Sequence, residues 1–246
     1  MNLSDLRLLL DYHYWARNTL LDAVSALTPE QFKKDLGSSF PSIHETLVHL
    51  YAAEWEPARQ AFQRGLALAE ELGNLERQAG YRAGLALAAR GQHDLGGATS
   101  LLEEALLLIS GHGYWHLRAR LQIWLAETLL EAERIADAWP HLNAGLATAR
   151  LHGRALLQLQ ADRLHARLLA ASGDWPAAEA CFTQAATDAA KLDIPLEIAR
   201  TQAAWGMAAI QSGLAPHQAD ALLSQARQIF ADHQAAAELD ALALQK

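Results

Sequence analysis

The sequence is poor in cysteine and has no long apolar run. Cys181 is the only cysteine among 246 residues, which excludes an internal disulfide and a metal cluster built from cysteines. No stretch approaches the roughly 18 consecutive apolar residues of a membrane span. The three leucines at positions 8–10 are too few for the apolar region of a signal peptide. These absences predict a cytoplasmic protein without membrane association.

Basic residues and catalytic motifs are also scarce. Lysine and arginine number 20 against 28 acidic residues, for a net charge of −8. Such a surface is unsuited to nucleic acid, because phosphate binding depends on a dense basic patch. The sequence has no glycine-rich phosphate loop after a strand and no Gly-x-Ser-x-Gly nucleophile turn. It therefore predicts no catalytic residue, no cofactor and no direct contact with nucleic acid.

What the sequence does contain is a repeat with a period of 40 residues. Large apolar residues recur one period apart, at Trp55, Leu95, Ile135 and Trp175. Breaks in the pattern recur in the same way, at Gly73, Gly113, Gly153 and Asp193. Periods of this size are typical of stacked units that bury one another's apolar faces. We therefore predict a solenoid of about 40-residue units.

Each unit is predicted to be a helical hairpin. In one copy the apolar residues Ala98, Leu102, Ala105 and Leu106 are spaced by four, three and one, which places them on one stripe of a second helix. Small residues of the first helix recur upstream, at Ala86, Ala126, Ala166 and Gly206. This pattern resembles the tetratricopeptide repeat over residues 54–233, although the period exceeds that family's usual length of about 34.

The resemblance implies an all-α fold, a right-handed superhelix of antiparallel hairpins. One row of the first helices departs from the family, which usually has a large aromatic residue there. In this sequence the row is polar and consists of Arg82, Gln122, Asp162 and Gln202.

The first 53 residues follow a different pattern. Apolar residues at helical spacing predict one helix over residues 3–27 and another from Ser42, and Thr28 with Gln31 has the spacing of a capping box. Four segments, at residues 11–16, 27–32, 36–43 and 46–50, resemble the opening two helices of the DinB (DNA-damage-inducible, bacillithiol-transferase-like) family.

The DinB resemblance implies a four-helix bundle with a metal on three histidines, and His49 stands where the first of them would be. After Trp55 the sequence follows the repeat instead, and Gly113 interrupts the pair His112 and His116. One histidine cannot form the three-ligand site that metal catalysis needs. We therefore predict no metal site, with His49 as the single candidate ligand.

The predicted domains are a DinB-like capping hairpin at residues 1–53 and repeats with a C-terminal capping helix at residues 54–246. Because the repeat phase extends back through Trp55, residues 42–53 and 55–72 should form one hairpin that packs on residues 79–90. Two families joined inside one hairpin indicate a chimera, and the sequence leaves open whether it is natural or engineered.

A function is predicted from the first helices, which line the concave face in tetratricopeptide arrays. In the 40-residue register, the inward rows supply candidate binding residues at Arg120, Glu127, Gln160, Arg163, Arg167 and Arg200. Arginine presents a planar fork that suits carboxylates. We therefore predict a non-catalytic module that binds a protein or peptide, with an acidic segment as the candidate ligand.

Several alternatives stay open. The arginines could instead form internal ion pairs with Glu127, Asp162 and Glu197. The chain could be a metal-dependent DinB-like transferase or a small-molecule sensor of the kind found in transcriptional activators. The sequence does not decide whether it forms a homodimer, and it does not identify the partner.

Overall fold

The protein forms two compact units, residues 1–58 and 59–246. The computed structural model describes residues 59–213 and 216–233, together with residues 28, 31, 34, 235, 238, 239 and 242. The predicted DinB-like hairpin, its packing on residues 79–90 and His49 lie outside the described residues. The domain boundary after residue 53 therefore stays a prediction.

The predicted capping box lies in the first unit. The Thr28 amide donates to Gln31 Oε1 at 2.9 Å, and the Gln31 amide donates to Thr28 Oγ1 at 3.3 Å. This reciprocal exchange satisfies two amide donors at once and confirms the capping box.

The second unit is a succession of α-helices. The described part of the first helix, α1, covers residues 59–71. The others are α2 Leu75–Gly91, α3 Leu95–Leu108, α4 Trp115–Glu131, α5 Ile135–Leu151, α6 Ala155–Ala171, α7 Trp175–Lys191, α8 Pro195–Ser212 and α9 Pro216–Asp232. The described residues contain no strand. The all-α prediction is therefore confirmed for this unit.

Side chains at the helix starts help to define where each helix begins. The carboxylates of Asp94 and Asp174 and the amide oxygen of Asn74 each accept a hydrogen bond from the backbone N–H three residues further on. These bonds satisfy donors that the first turn of a helix leaves without partners. Proline lies in the first turn of α7 and is the first residue of α8 and α9, where a missing N–H costs nothing.

All four predicted breaks lie in connections between helices. Gly73, Gly153 and Asp193 have left-handed φ values of 63°, 59° and 52°. Gly113 lies in the longer connection from α3 to α4, whose left-handed residue is Gly111, with φ 77°. Each connection between the described helices of the second unit thus contains a residue in the left-handed conformation, which reverses the chain just past a helix end.

The helices pair as hairpins, α2 with α3, α4 with α5, α6 with α7 and α8 with α9. Small residues allow the two helices of a hairpin to approach each other closely. At Gly145, an added Cβ would lie 2.8 Å from Ile123 Cγ1 and 3.0 Å from the Ala119 carbonyl oxygen, closer than van der Waals contact permits. The large residues of the same stripe, Leu102, Leu142 and Phe182, are buried. The pattern of small and large residues therefore forms the core.

Polar pairs replace the aromatic row that the tetratricopeptide pattern usually has. The row bonds to side chains of second helices in every unit: Arg82 to Glu70, Gln122 to His141, Asp162 to Arg150 and Gln202 to Gln225. These hydrogen bonds compensate in part for placing polar groups at a partly buried helix seam, since Arg82 Nη1 and Gln202 Oε1 are buried without a partner among the described residues. The departure from the family pattern thus has a structural explanation.

The first helices α2, α4, α6 and α8 form the inner side of the array. Successive first helices contact one another, whereas successive second helices do so far less. The array therefore bends towards its first helices, and their exposed faces form a continuous surface, which we call the inner face.

Candidate functional site

Ion pairs join successive first helices across the inner face. Arg90 on α2 donates to Glu127 on α4 at 3.0 Å and to Glu131 at 2.6 Å. Glu127 also accepts from Arg167 on α6 at 2.8 Å. Charge-assisted hydrogen bonds therefore connect α2, α4 and α6.

The same arrangement continues at Glu197 on α8. Its carboxylate accepts from Arg163 on α6 at 2.6 Å and from Arg200 on its own helix at 2.7 Å. Arg200 also donates to Glu238 of the C-terminal segment. The side chain of Glu197 is 3% exposed and that of Arg163 is 16% exposed. A nearly buried ion pair thus holds α6 to α8.

The arginines also control how these carboxyl groups ionise. Burial alone would raise the pKa of Glu127, but the charges of Arg167 and Arg90 outweigh burial and lower its pKa to about 2. Burial likewise opposes ionisation of Glu197, and the charge and hydrogen bond of Arg163 lower its pKa below the ordinary value. Both groups are therefore carboxylates at neutral pH and hold their arginines within the fold.

A pocket of about 510 Å³ opens on the inner face between the N-terminal halves of α4 and α6. Its lining includes Trp115, Arg120 and Trp124 from α4, and Arg154, Leu157 and Gln160 from the start of α6. It thus combines indole rings, aliphatic side chains and two guanidinium groups, the mixture of apolar wall and few polar groups that is typical of ligand sites.

Both arginines of this pocket lie over tryptophan rings. The guanidinium carbon of Arg120 is 5.8 Å from the centre of Trp124, and that of Arg154 is 5.9 Å from the centre of Trp115. Within the described part of the chain, neither arginine has a carboxylate partner. An exposed cation–π contact contributes about 0.5–1 kcal/mol, less than the roughly 1.5–3 kcal/mol of a hydrogen bond to a charged group. A carboxylate can therefore displace either indole.

Ring contacts hold the wall of the pocket in place. His152 stacks on Trp115 with ring centres 3.7 Å apart and planes 14° from parallel. On the neighbouring residue, His116 Nε2 lies 3.1 Å from Glu76 Oε1 on α2. The stack restrains the Trp115 ring before any ligand binds, and restraint of this kind lowers the entropy cost of binding.

Comparisons with known proteins agree with both parts of the predicted hybrid. The sequence model of the DinB family matches residues 1–68. A crystal structure of a putative kinesin light chain from Podosopora anserina, with nearly identical TPR-like repeats, is 20% identical, covers 77% of this chain and 93% of its own, and has a TM-score of 0.55. BtubC (BKLC) from P. vanneervenii is 17% identical, covers 72% and 74%, and has a TM-score of 0.58. No curated protein matches the sequence.

The second unit is a tetratricopeptide-like solenoid. Identities this low establish the fold and nothing about a ligand. They confirm the predicted solenoid of hairpins, and the DinB match supports the resemblance of the N-terminal segment. The match ends at residue 68, within α1, whereas the sequence pattern placed the end of the DinB-like segment near Trp55.

The tetratricopeptide-like array places the predicted site residues in two environments. Arg120 and Gln160 line the pocket between α4 and α6. Glu127, Arg163, Arg167 and Arg200 take part in the internal ion pairs. Three of the four candidate arginines are thus ion-paired within the chain, as the alternative interpretation predicted, and Arg120 is the exception.

Arg154 and Trp115 were missed by reasoning from helical rows. Arg154 is the N-cap residue of α6, and Trp115 is the first residue of α4, so neither lies within the middle of a helix stripe. One signal was available in the sequence, a cation at the start of a predicted helix. Cations are rare at this position because the helix dipole disfavours positive charge there. Arg154 directly follows the break at Gly153.

Metal and membrane signatures are also absent from what the structure describes. In residues 59–213, 216–233 and the few other described positions, no three His, Cys, Asp or Glu side chains converge on one point. No helix in this same part of the chain combines the length and hydrophobicity needed to cross a membrane.

Proposed function

We propose that the tetratricopeptide-like array is a non-catalytic scaffold that binds an acidic segment of a partner protein on its inner face, in the cytoplasm. The proposal rests on the contacts that Arg120 and Arg154 make. Four other inner-face arginines hold carboxylates of the chain itself, at Arg90, Arg163, Arg167 and Arg200. The two arginines of the pocket lie over indoles, and no carboxylate among the described residues pairs with them, so they can accept a carboxylate from outside.

The charge distribution favours an acidic ligand at this place. The chain as a whole is acidic, with a net charge of −8, so an anionic segment is repelled by most of the surface. Two guanidinium groups that line one partly enclosed pocket concentrate positive charge locally. Binding should therefore be specific for this pocket and should weaken as salt is added, since exposed charges are screened over about 8–10 Å at ordinary ionic strength.

Selection from a random peptide library tests the proposal without knowledge of the natural partner. Capped dodecapeptides retained by the purified chain should be enriched in Asp and Glu. Enriched peptides should lose about 100-fold in affinity for the double variant R120A/R154A, because each lost charged hydrogen bond costs at least about 1.4 kcal/mol, a factor of ten. Fluorescence anisotropy of labelled peptides measures the loss.

A matched control distinguishes the effect of losing the pocket arginines from the effect of changing the net charge. Arg64 and Arg77 are exposed arginines of α1 and α2 that do not line the pocket, so R64A/R77A changes the net charge by the same amount. This variant should bind the enriched peptides as the parent does. Selection without acidic enrichment, or equal losses in both double variants, would contradict the proposal.

The DinB match favours a second candidate function, a metal-dependent transferase of the thiol-transferase type that uses His49. The two functions differ in metal content. If the scaffold function is correct, purified untagged protein should contain no stoichiometric zinc or nickel, and His49→Ala should leave the metal content unchanged. Elemental analysis of both proteins decides between them, and a stoichiometric metal that is lost in the variant favours the transferase.

A further inference from the structure

Two histidines lie at the pocket between α4 and α6. His116 lines the pocket, and His152 stacks on Trp115 of its wall, with ring centres 3.7 Å apart. Histidine is the side chain that ordinarily changes its charge between pH 5 and 8. We infer that pH regulates this pocket, which binds its acidic segment more tightly once His116 and His152 take up protons. This inference rests on the proposed function and adds regulation to the same site.

His116 controls the charge where α4 faces α2. Its Nε2 lies 3.1 Å from Glu76 Oε1, and the two side chains are 50% and 47% exposed. While His116 is neutral, the pair carries the negative charge of Glu76 and repels an anionic segment. Once His116 is protonated the pair has no net charge, so this repulsion disappears. Because both side chains are half exposed, the expected gain in affinity is moderate.

His152 acts on the pocket through Trp115. Its ring lies 14° from parallel to the indole, and the guanidinium carbon of Arg154 lies 5.9 Å from the centre of the same indole. A protonated His152 forms a cation–π contact with Trp115 and places a second positive charge on the indole that Arg154 already contacts. These like charges repel each other, and a bound carboxylate relieves the repulsion. Protonation of His152 and binding of an anion therefore favour each other.

Other charged and titratable groups around the two histidines belong to several elements. They are Glu76 on α2, His112 and Tyr114 before α4, Arg120 on α4, Arg150 on α5 and Arg154 at the start of α6. Arg150 is paired with Asp162 at 3.2 Å, and His112 stacks on Tyr114 and does not line the pocket. Arginine, tyrosine and carboxylate side chains ordinarily keep one charge state between about pH 6 and 8. In this range the charge at the pocket therefore changes through histidine.

Two other histidines of the array are less suited to this role. Burial lowers the pKa of His141 and of His165 below the ordinary value, so they take up protons only at lower pH. Neither of them lines the pocket. His116 and His152 are both exposed, and water solvates their charged form.

Peptide binding at two pH values tests the inference on the full chain. The probe is a capped, fluorescently labelled dodecapeptide with four glutamates among alanines and serines. Its glutamates stay ionised between about pH 6 and about pH 8. The affinity, measured by anisotropy, should rise about tenfold from the higher to the lower pH, because each exposed charge interaction contributes a factor of up to about five.

Histidine variants assign the effect. In H116Q/H152Q, which lacks both titrating groups, the ratio of the two affinities should fall to about one, while glutamine at position 116 can still donate to Glu76. The matched control is H93N/H233Q, because His93 and His233 are exposed and do not line the pocket. Asparagine suits the left-handed backbone at His93, with φ 61°. This control should keep the tenfold ratio.

A proton NMR titration of the histidine rings gives a second readout. Signals of His116 and His152 are assigned from the single variants H116Q and H152Q. Because binding and protonation favour each other, the peptide should shift both titration midpoints to higher pH.

The outcomes distinguish regulation from the proposed function. If the peptide binds equally at both pH values, and binding is lost in R120A/R154A, the acidic-segment function stands and the pH regulation is wrong. A tenfold ratio that persists in H116Q/H152Q, or midpoints that the peptide leaves unchanged, assigns the effect to other groups and also overturns the inference. If the peptide binds at neither pH, both proposals fail.

Discussion

The variant Glu197→Leu should unfold at a temperature about 10 °C below that of the parent protein. The carboxylate is 3% exposed and accepts hydrogen bonds from Arg163 and Arg200. Its removal leaves Arg163, which is 16% exposed, without a partner in a nearly buried place. Breaking a buried pair in this way costs about 3–5 kcal/mol. For a protein of this size, each kcal/mol shifts the midpoint by about 2–4 °C.

The double variant R163I/E197L should recover most of the lost stability. One period earlier, the same two register positions are Ile123 and Leu157, and both belong to one apolar cluster. The array therefore already accommodates apolar residues at both positions. Replacing a buried ion pair by well-packed apolar residues is often neutral or stabilising. Thermal unfolding followed by circular dichroism compares parent, single and double variants.

The pH dependence gives a second signature of the same pair. The pKa of Glu197 is lower in the folded protein than its ordinary value of 4.5. Its stabilisation is therefore fully present above about pH 4.5 and is lost as the pH falls through the lower folded-state pKa. The double variant should lose less stability than the parent on acidification below this value. An unchanged midpoint in Glu197→Leu would show that the pair contributes little to stability, whereas a destabilised double variant without recovery would show that an apolar pair cannot replace it.

The variant Gly145→Leu should lower the free energy of unfolding by about 3 kcal/mol, because overfilling a packed site costs about 1–3 kcal/mol or more. An added Cβ at this position meets Ile123 Cγ1 at 2.8 Å and the Ala119 carbonyl oxygen at 3.0 Å. The oxygen belongs to the backbone of α4 and cannot move without moving the helix. Urea unfolding measures the loss.

Gly80 provides the matched control for Gly145. It lies within α2, it is exposed, and a Cβ there would have no neighbour within 4 Å. Gly80→Leu should therefore stabilise the protein by about 0.5–1 kcal/mol, the gain expected when a helix-interior glycine is replaced by a good helix former. Similar effects at the two glycines would mean that close packing at Gly145 does not control stability.

The sequence by itself determined the architecture of the array. Helical hairpins could be inferred because residues such as Leu102, Leu142 and Phe182 recur with one period, and burying such a stripe requires a second helix and a neighbouring unit. The sequence did not determine the geometry of each connection, because the left-handed residue between α3 and α4 is Gly111, two residues before the predicted break at Gly113.

Only the tertiary structure decided which arginines form ion pairs within the chain. Arg120 and Arg200 occupy the same row, yet Arg200 holds Glu197 and Glu238, whereas Arg120 lies over Trp124. The ion pairs that connect different elements join residues 34 to 41 positions apart, and their formation depends on helix spacing and side-chain direction. Periodicity fixes which residues share a face, because burial repeats with the helix. It cannot choose among nearby carboxylates, because that choice is made by distances between helices.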